Sequence, residues 1–325
     1  MLPICCLELP GFAIKKLQDA GFVYADDLLQ HGEDLDPEVE KLFKSHPEIQ
    51  DNLKSCMKSP KKITALTLLE EEEKCEKIVT FSLRLDNLLG GGVPLGSILE
   101  VCGAPGSGKT QLCLQLCVSV QLHRSLGGLG GEAVYIDTDA GFSPNRLSEI
   151  SKECKEHCCN IGRQNKLSSE LLQTLESQSF EQYHYISTQD HYQLLGTVLS
   201  LDEFMKDHPQ VKLIIIDSLA FPFLHLSDML KRTVTICKML KHLEDLAQRY
   251  KLAVVVTNHL TTRISRGEDQ LVPALGECLG HLVNNRLILG FLPSTSQFAG
   301  VIFKSPNLQN SSAEFKVTRG GIRDI

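Results

Sequence analysis

Gly103-Ala104-Pro105-Gly106-Ser107-Gly108-Lys109-Thr110 fits the phosphate-loop pattern: two glycines five apart, then Lys and a hydroxyl residue. A strand-like run, Ile98-Leu99-Glu100-Val101-Cys102, leads into it, and a helical pattern with apolar residues at Leu112, Cys113, Leu116, Cys117 and Val120 leaves it. Glycines at 103, 106 and 108 allow backbone conformations closed to other residues. Successive N–H groups can then wrap an anion where the helix dipole is positive. Lys109 is placed to reach the β and γ phosphates of a nucleoside triphosphate, and the Thr110 hydroxyl to ligate Mg²⁺.

Outward from the loop, strands and helices alternate. Ala133–Asp137, Val211–Asp217 and Leu252–Val256 read as near-continuous apolar strands, and Val234, Cys237, Leu240, Leu243 and Leu246 space a crossover helix. Apolar strands with helical crossovers predict a mostly parallel sheet covered on both faces. Short late segments, 286–289, 300–303 and 313–317, predict antiparallel strands added at one edge. The expected fold is therefore an α/β P-loop core over 78–325.

Before the core, Leu9-Pro10-Gly11 reads as a turn, Phe12, Ile14, Leu17 and Phe22 space an amphipathic helix, and Leu28-Leu29 begin another. This predicts a small helical domain over 1–55. A linker is expected over 56–77, with the basic stretch Lys58 to Lys62 and the acidic run Glu70 to Glu73.

The 325 residues are 42% hydrophobic, enough for one large domain and a small one. No run of 18 apolar residues offers a membrane span, and Met1-Leu2-Pro3-Ile4-Cys5-Cys6 lacks the basic segment of a signal peptide, so a cytosolic or nuclear chain is expected. Its 12 cysteines mostly fall inside apolar patterns, where a reduced thiol acts as a small hydrophobe. Cys154, His157, Cys158 and Cys159 invite a zinc reading, but their spacing lacks two well-formed ligand pairs and favours a structural role. The net charge of −7 argues against a protein that coats nucleic acid by electrostatics alone. Residues 1–60 carry eleven acidic and six basic side chains, which makes the N-terminal domain a better protein-docking module than a DNA grip.

Leu213-Ile214-Ile215-Ile216-Asp217 has the form of a Walker-B strand, its terminal carboxylate placed toward the metal shell. Phe81 to Leu95, the loop with Gln111-Leu112-Cys113, Gly131 to Thr138, and Leu271 to Glu277 resemble the RecA-like recombinases of eukaryotes and archaea. Thr64-Ala65-Leu66, Leu68-Leu69-Glu70 and Ala220-Phe221-Pro222-Phe223 make the chain most similar to the C-type paralogues of the eukaryotic strand-exchange recombinase.

The resemblance implies an ATP- and Mg²⁺-binding, DNA-dependent ATPase of homologous recombination and double-strand break repair. It implies work on single-stranded and branched DNA with other recombinase paralogues, ATP lying between subunits. It places the chain in the nucleus first and the cytoplasm second. Carried over by position, Gly103, Ala104, Pro105, Gly106, Ser107, Gly108, Lys109, Thr110 and Gln111 bind nucleotide, Arg146 matches the adenine-stacking Arg, and Thr110 and Asp217 serve the metal. Ser305-Pro306 matches the segment that caps a neighbour's ATP. Lys231, Arg232, Arg263 and Arg266 fall in the two loops that face DNA.

The sequence departs from that family at the two positions that act on the γ-phosphate. The water-activating Glu is replaced by Asp139, which withdraws the base by roughly 1.5 Å, and a displacement near 1 Å can lower a rate about a hundredfold. The γ-phosphate sensor, usually Gln, is His259. No aromatic-x-x-Ala polymerisation tether is evident between Cys56 and Lys77, which favours a hetero-oligomer over a long self-filament. Slow turnover is expected. The alternatives are a non-catalytic adapter in which ATP clamps paralogue subunits together and a P-loop small-molecule kinase, the latter disfavoured because no Arg-rich lid segment is present.

Overall fold

The computed structural model describes residues 4, 9–24, 27, 37–46, 63–165, 168–177, 179–224, 226, 228–264 and 269–325. The chain separates into two compact units, Met1–Glu73 and Lys74–Ile325.

In the first unit, helix α1 (Gly11–Asp19) and helix α2 (Pro37–Ser45) bury Ala13, Leu17, Val39 and Leu42 with Ile4 and Phe22. Phe12, expected on the buried stripe, is half exposed against His46, because the helix turns Ala13 and Leu17 inward instead. Leu28-Leu29 lie outside the described residues. The stretch expected as a linker is helical over α3 (Ala65–Glu73), which buries none of its side chains.

The second unit opens with strands β1 (Lys77–Ile78) and β2 (Val93–Pro94), paired antiparallel on either side of helix α4 (Leu83–Leu88) in the chain, and continues into one large sheet. Strands β3 (Ile98–Gly103), β4 (Glu132–Asp137), β5 (Tyr183–Ser187), β6 (Val211–Asp217) and β7 (Ala253–Ile264) run parallel, in the order β3-β7-β6-β4-β5. Side chains alternate across a strand, and here the alternation sorts the core. Leu99, Val101, Ala133, Tyr135, Leu213, Ile215, Ala253 and Val255 share one face with α5 (Lys109–Ser119) and α6 (Pro144–Gln164). Ile98, Val134, Ile136, Ile214, Ile216, Val254 and Val256 share the other with α8 (His191–Asp207) and α9 (Met229–Tyr250), counting α7 as Ser169–Ser177. Each fully buried aliphatic side chain contributes about 1.5–3 kcal/mol.

Helix α5 is buried almost all round, Leu114 and Val118 included, which explains why its apolar residues outnumber a single stripe. In α9 the buried face is Ile236, Met239, Leu240, Leu243, Leu246 and Ala247. The helical period expected there holds, but Val234 is exposed, because the stripe begins at Ile236.

The C-terminal antiparallel strands are present. β9 (Asn285–Leu292) pairs parallel with β3, and β10 (Gln297–Lys304), β11 (Ser312–Thr318) and β12 (Gly321–Arg323) continue antiparallel from it. β8 (Asp269–Pro273) folds back on β7. Cys102, Cys113, Cys117, Cys154 and Cys158 are buried among these layers, and burial pushes the Cys113 and Cys117 thiols up, as it does for apolar-packed cysteines.

Candidate nucleotide site

The parallel register brings the C-terminal strand ends together. Gly103 pairs with His259 across β3 and β7, and Asp137 with Asp217 across β4 and β6. Ligands of open parallel sheets bind at this end of the strands.

The loop between β3 and α5 is shaped by two of its glycines. A Cβ on Gly103 would overlap the Ser107 Oγ and the Leu289 carbonyl. Gly108, the N-cap of α5, has φ +92°, which a side chain would strain. The fold of the loop leaves a cleft of about 210 Å³ lined by Gly106, Ser107, Gly108, Lys109, Thr110, Gln111 and Phe298. The Ser107 Oγ is buried there with no protein partner among the described residues. The Lys109 ammonium donates to the Gly103 and Ala104 carbonyls, at 2.9 and 3.0 Å. Burial lowers its pKa, while Asp217 opposes that shift. A buried cation and an orphaned hydroxyl in a glycine-shaped turn fit a phosphate group.

Asp217 is fixed from three sides. Its Oδ2 accepts from Thr110 Oγ1 at 2.8 Å and from the Tyr135 hydroxyl at 2.7 Å, and its Oδ1 accepts from Thr257 Oγ1. Burial first and Asp217 second raise the Tyr135 pKa well above the ordinary phenol value, so the phenol stays a donor. Thr110 and Asp217 thus present hard oxygen atoms side by side at the helix N-terminus, the donor set that suits Mg²⁺ shared with phosphates.

The remaining predicted residues fall into a looser group. Asp139 sits in an exposed turn in which its Oδ1 accepts from Gly141 N at 3.1 Å, and Ala140 has φ +57°. Partial burial, then Asp217 and Asp137, raise the Asp139 pKa. Asp137 is taken up by structure: its carboxylate accepts from Gly141 N, Phe142 N and the Tyr185 hydroxyl. His259 Nε2 lies 3.2 Å from Ser218 Oγ. Burial and the Lys109 charge lower the His259 pKa, with Asp217 opposing.

Arg146 is drawn to the start of α5. Its Nε donates to Gln111 Oε1 at 2.9 Å, and its Nη1 to the Arg319 carbonyl at 2.7 Å and to Glu149 at 3.0 Å. A guanidinium so held offers a flat face next to the loop. The basic residues predicted to face DNA are spread out. Lys231, in the first turn of α9, lies 5.6 Å from the Tyr192 ring centroid and donates to its hydroxyl. Arg232 follows it with its Nε buried and without a hydrogen-bond partner among the described residues. Arg263 is exposed on β7, four residues beyond His259, and Arg266 lies outside the described residues. Ser305 closes a local turn, its hydroxyl accepting from Asn307 N and Leu308 N.

Sequence reasoning missed several residues of this site. Tyr135 and Thr257 complete the Asp217 cluster, and no local pattern announces either, because strand register alone brings them to that carboxylate. Phe298 approaches Gly108 from β10, and no local signal places it there. Behind the loop, buried Glu100 accepts from Arg286 Nε at 2.6 Å and from Asn258 Nδ2 at 2.8 Å, while Asn258 Oδ1 accepts from His259 N. This network ties β9, β3 and β7 together beneath the loop.

A family model described as Rad51 matches residues 72–325. The chain belongs to the Rad51 family. The match spans every residue of the nucleotide cleft and all the strands of the large sheet. The chain is 41% identical over 269 residues to the DNA repair protein RAD51 homolog 3 of Cricetulus griseus, covering 81% of this chain and 73% of that protein. It is 34% identical over 273 residues to the protein of the same description from Dictyostelium discoideum, covering 81% and 70%. It is 31% identical over 319 residues to the meiotic recombination protein DMC1 homolog of Lilium longiflorum, covering 96% and 85%. The last similarity reaches through the N-terminal unit, while the family model begins at α3. Rad51-family proteins are ATPases, and the expected P-loop core is the fold of this family.

Proposed function

We propose that this Rad51-family chain is a recombinase paralogue of homologous recombination and double-strand break repair. It binds ATP with Mg²⁺ between subunits of a hetero-oligomer of paralogues, on single-stranded and branched DNA. The observation that carries the reading is the Asp217 cluster beside the phosphate loop, in which Thr110, Tyr135 and Thr257 all point hydroxyls at one carboxylate.

In this reading Gly103 to Gln111 cradle the triphosphate, Ser107 Oγ finds its missing partner there, and the Lys109 ammonium exchanges loop carbonyls for phosphate oxygens. Thr110 and Asp217 hold Mg²⁺, which when bound neutralises phosphate charge. Arg146 presents its guanidinium face to the base. Asp139 orients the attacking water, and His259 donates to the γ-phosphate. Lys231, Arg232, Arg263 and Arg266 contact DNA phosphates, and the acidic N-terminal unit docks a protein partner. The nucleus is the compartment this function requires.

A second reading, an adapter whose bound ATP clamps subunits without turning over, is favoured by the Asp139 carboxylate being spent on Gly141 N. The test is ATP turnover of the assembled complex with and without single-stranded DNA, beside the Lys109→Ala variant. Turnover stimulated by DNA and lost with Lys109→Ala supports the ATPase. Turnover no higher than that of Lys109→Ala leaves only the adapter.

A further inference from the structure

At the end of the sheet away from the phosphate cradle, three half-buried side chains from three elements face one another. Glu132 opens β4, His184 lies on β5, and His208 is the C-cap of α8. Their ligand atoms all lie within 4.8 Å of one another. His184 Nε2 is 2.9 Å and His208 Nδ1 3.7 Å from the same oxygen, Glu132 Oε2.

A hydrogen bond accounts for His184 alone. His208, at 3.7 Å, is too far to donate to that oxygen, so the carboxylate does not hold it there. Packing does. The Phe204 ring stacks on His208 with centroids 4.2 Å apart at 22° and meets His184 edge-on at 5.1 Å. The two imidazoles are 4.5 Å apart, steeply tilted to each other. The backbone around them is pinned as well: Glu132 N donates to the Gln210 carbonyl, His208 N to that of Phe204, and Val211 N to that of His208. His208 is thereby preset beside the hydrogen-bonded His184–Glu132 pair by contacts that do not involve its own ligand atom.

We propose that Glu132, His184 and His208 form a Zn²⁺ site. Ligand atoms around a tetrahedral zinc with bonds near 2.0–2.1 Å stand ~3.3 Å apart, and the two measured separations, 2.9 and 3.7 Å, fall on either side of that value. Two imidazoles with one carboxylate is a set that suits zinc over the all-oxygen preference of Mg²⁺ or Ca²⁺. Water completes the fourth position. The zinc replaces the proton of the His184–Glu132 hydrogen bond and joins β4 to β5, which is the outermost strand on its side of the sheet, and to the turn between α8 and β6. It acts as a staple on the sheet edge, remote from ATP chemistry.

The test uses the full chain, kept reduced and stripped with a chelator, and titrated with Zn²⁺ alone. The expected result is one tightly held equivalent by metal analysis and a rise in the thermal midpoint of at least ~2 °C at saturation. Both disappear in His208→Ala and weaken at least tenfold in Glu132→Gln, while MgATP binding is unchanged. Should His184→Ala fail to fold, these two variants still decide the matter, since His208 makes no hydrogen bond to Glu132 and Gln keeps an acceptor for His184. Co²⁺ substitution separates this site from the cysteines: thiolate charge-transfer absorption, zinc retained in both variants, or no zinc bound at all would each overturn the proposal.

Discussion

The phosphate cradle and the turn that should fire it lie at the same sheet end but are built differently. In the cradle, Asp217 is buried and receives three hydroxyls from three elements, so its position is overdetermined. In the turn 139–141, Asp139 is exposed, and its Oδ1 accepts locally from Gly141 N. The difference teaches that, in the proposed reading, the residues assigned to nucleotide binding are preorganised and those assigned to hydrolysis are not. Preorganised groups stabilise charge without having to be gathered first, whereas Asp139, the proposed water-orienting group, has its Oδ1 engaged by Gly141 N.

The largest effect should come from breaking the well-built side. Asp217→Ala leaves the Thr110, Tyr135 and Thr257 hydroxyls without their acceptor, and a buried unsatisfied donor costs about 1–3 kcal/mol. The expected outcome is a loss of several kcal/mol in denaturant unfolding together with loss of Mg²⁺-dependent nucleotide binding. A variant as stable as the parent would show that the cluster is not what holds this end of the sheet. Tyr135→Phe, removing one donor only, should lie between the two.

The loosely built side should respond in rate rather than in stability. Asp139→Ala is expected to abolish residual turnover while ATP affinity and the unfolding midpoint stay nearly unchanged, since exposed substitutions usually shift stability by less than about 0.5 kcal/mol. Asp139→Glu restores the missing methylene and should raise turnover by tenfold or more. Steady-state ATPase and equilibrium nucleotide binding on the same preparations check both. If Asp139→Glu leaves the rate unaltered, carboxylate length is not the obstacle, and the adapter reading gains.

How much of this contrast was legible beforehand follows from how each part is specified. The cradle is local: a strand, a glycine turn and a helix start lie within about fifteen consecutive residues, and the physical demands on each are visible in the residue types. The sheet was legible because buried parallel strands are nearly continuous apolar runs. The partners of Asp217 were not, because Tyr135 and Thr257 are 82 and 40 positions away and are joined to it only by register. Phe298 and the Glu100–Arg286–Asn258 network depend on β9 and β10 returning beside β3, which no pattern within those strands announces. Val234 was placed on the wrong face of α9 because periodicity gives the spacing of a stripe but not its first residue.

The smallest effect tests whether His259 belongs to the cradle or to the loose side. Burial and the Lys109 charge depress its pKa in the folded chain, so below the ordinary His value near ~6.5 the unfolded chain binds a proton that the native state resists. Its contribution to stability is therefore intact above that value and is lost as pH falls from it toward the depressed folded value. His259→Gln should flatten this acid limb, narrowing the drop in thermal midpoint by a few degrees. His157, whose pKa burial and Arg323 also lower, titrates in both proteins and cancels in the difference. Saturating ATP supplies the discriminating arm. Phosphate charge beside His259 favours the imidazolium and opposes Lys109, so the gap between wild type and variant should shrink when ATP is bound. A gap indifferent to ATP would place His259 out of reach of the phosphates and remove it from the proposed site.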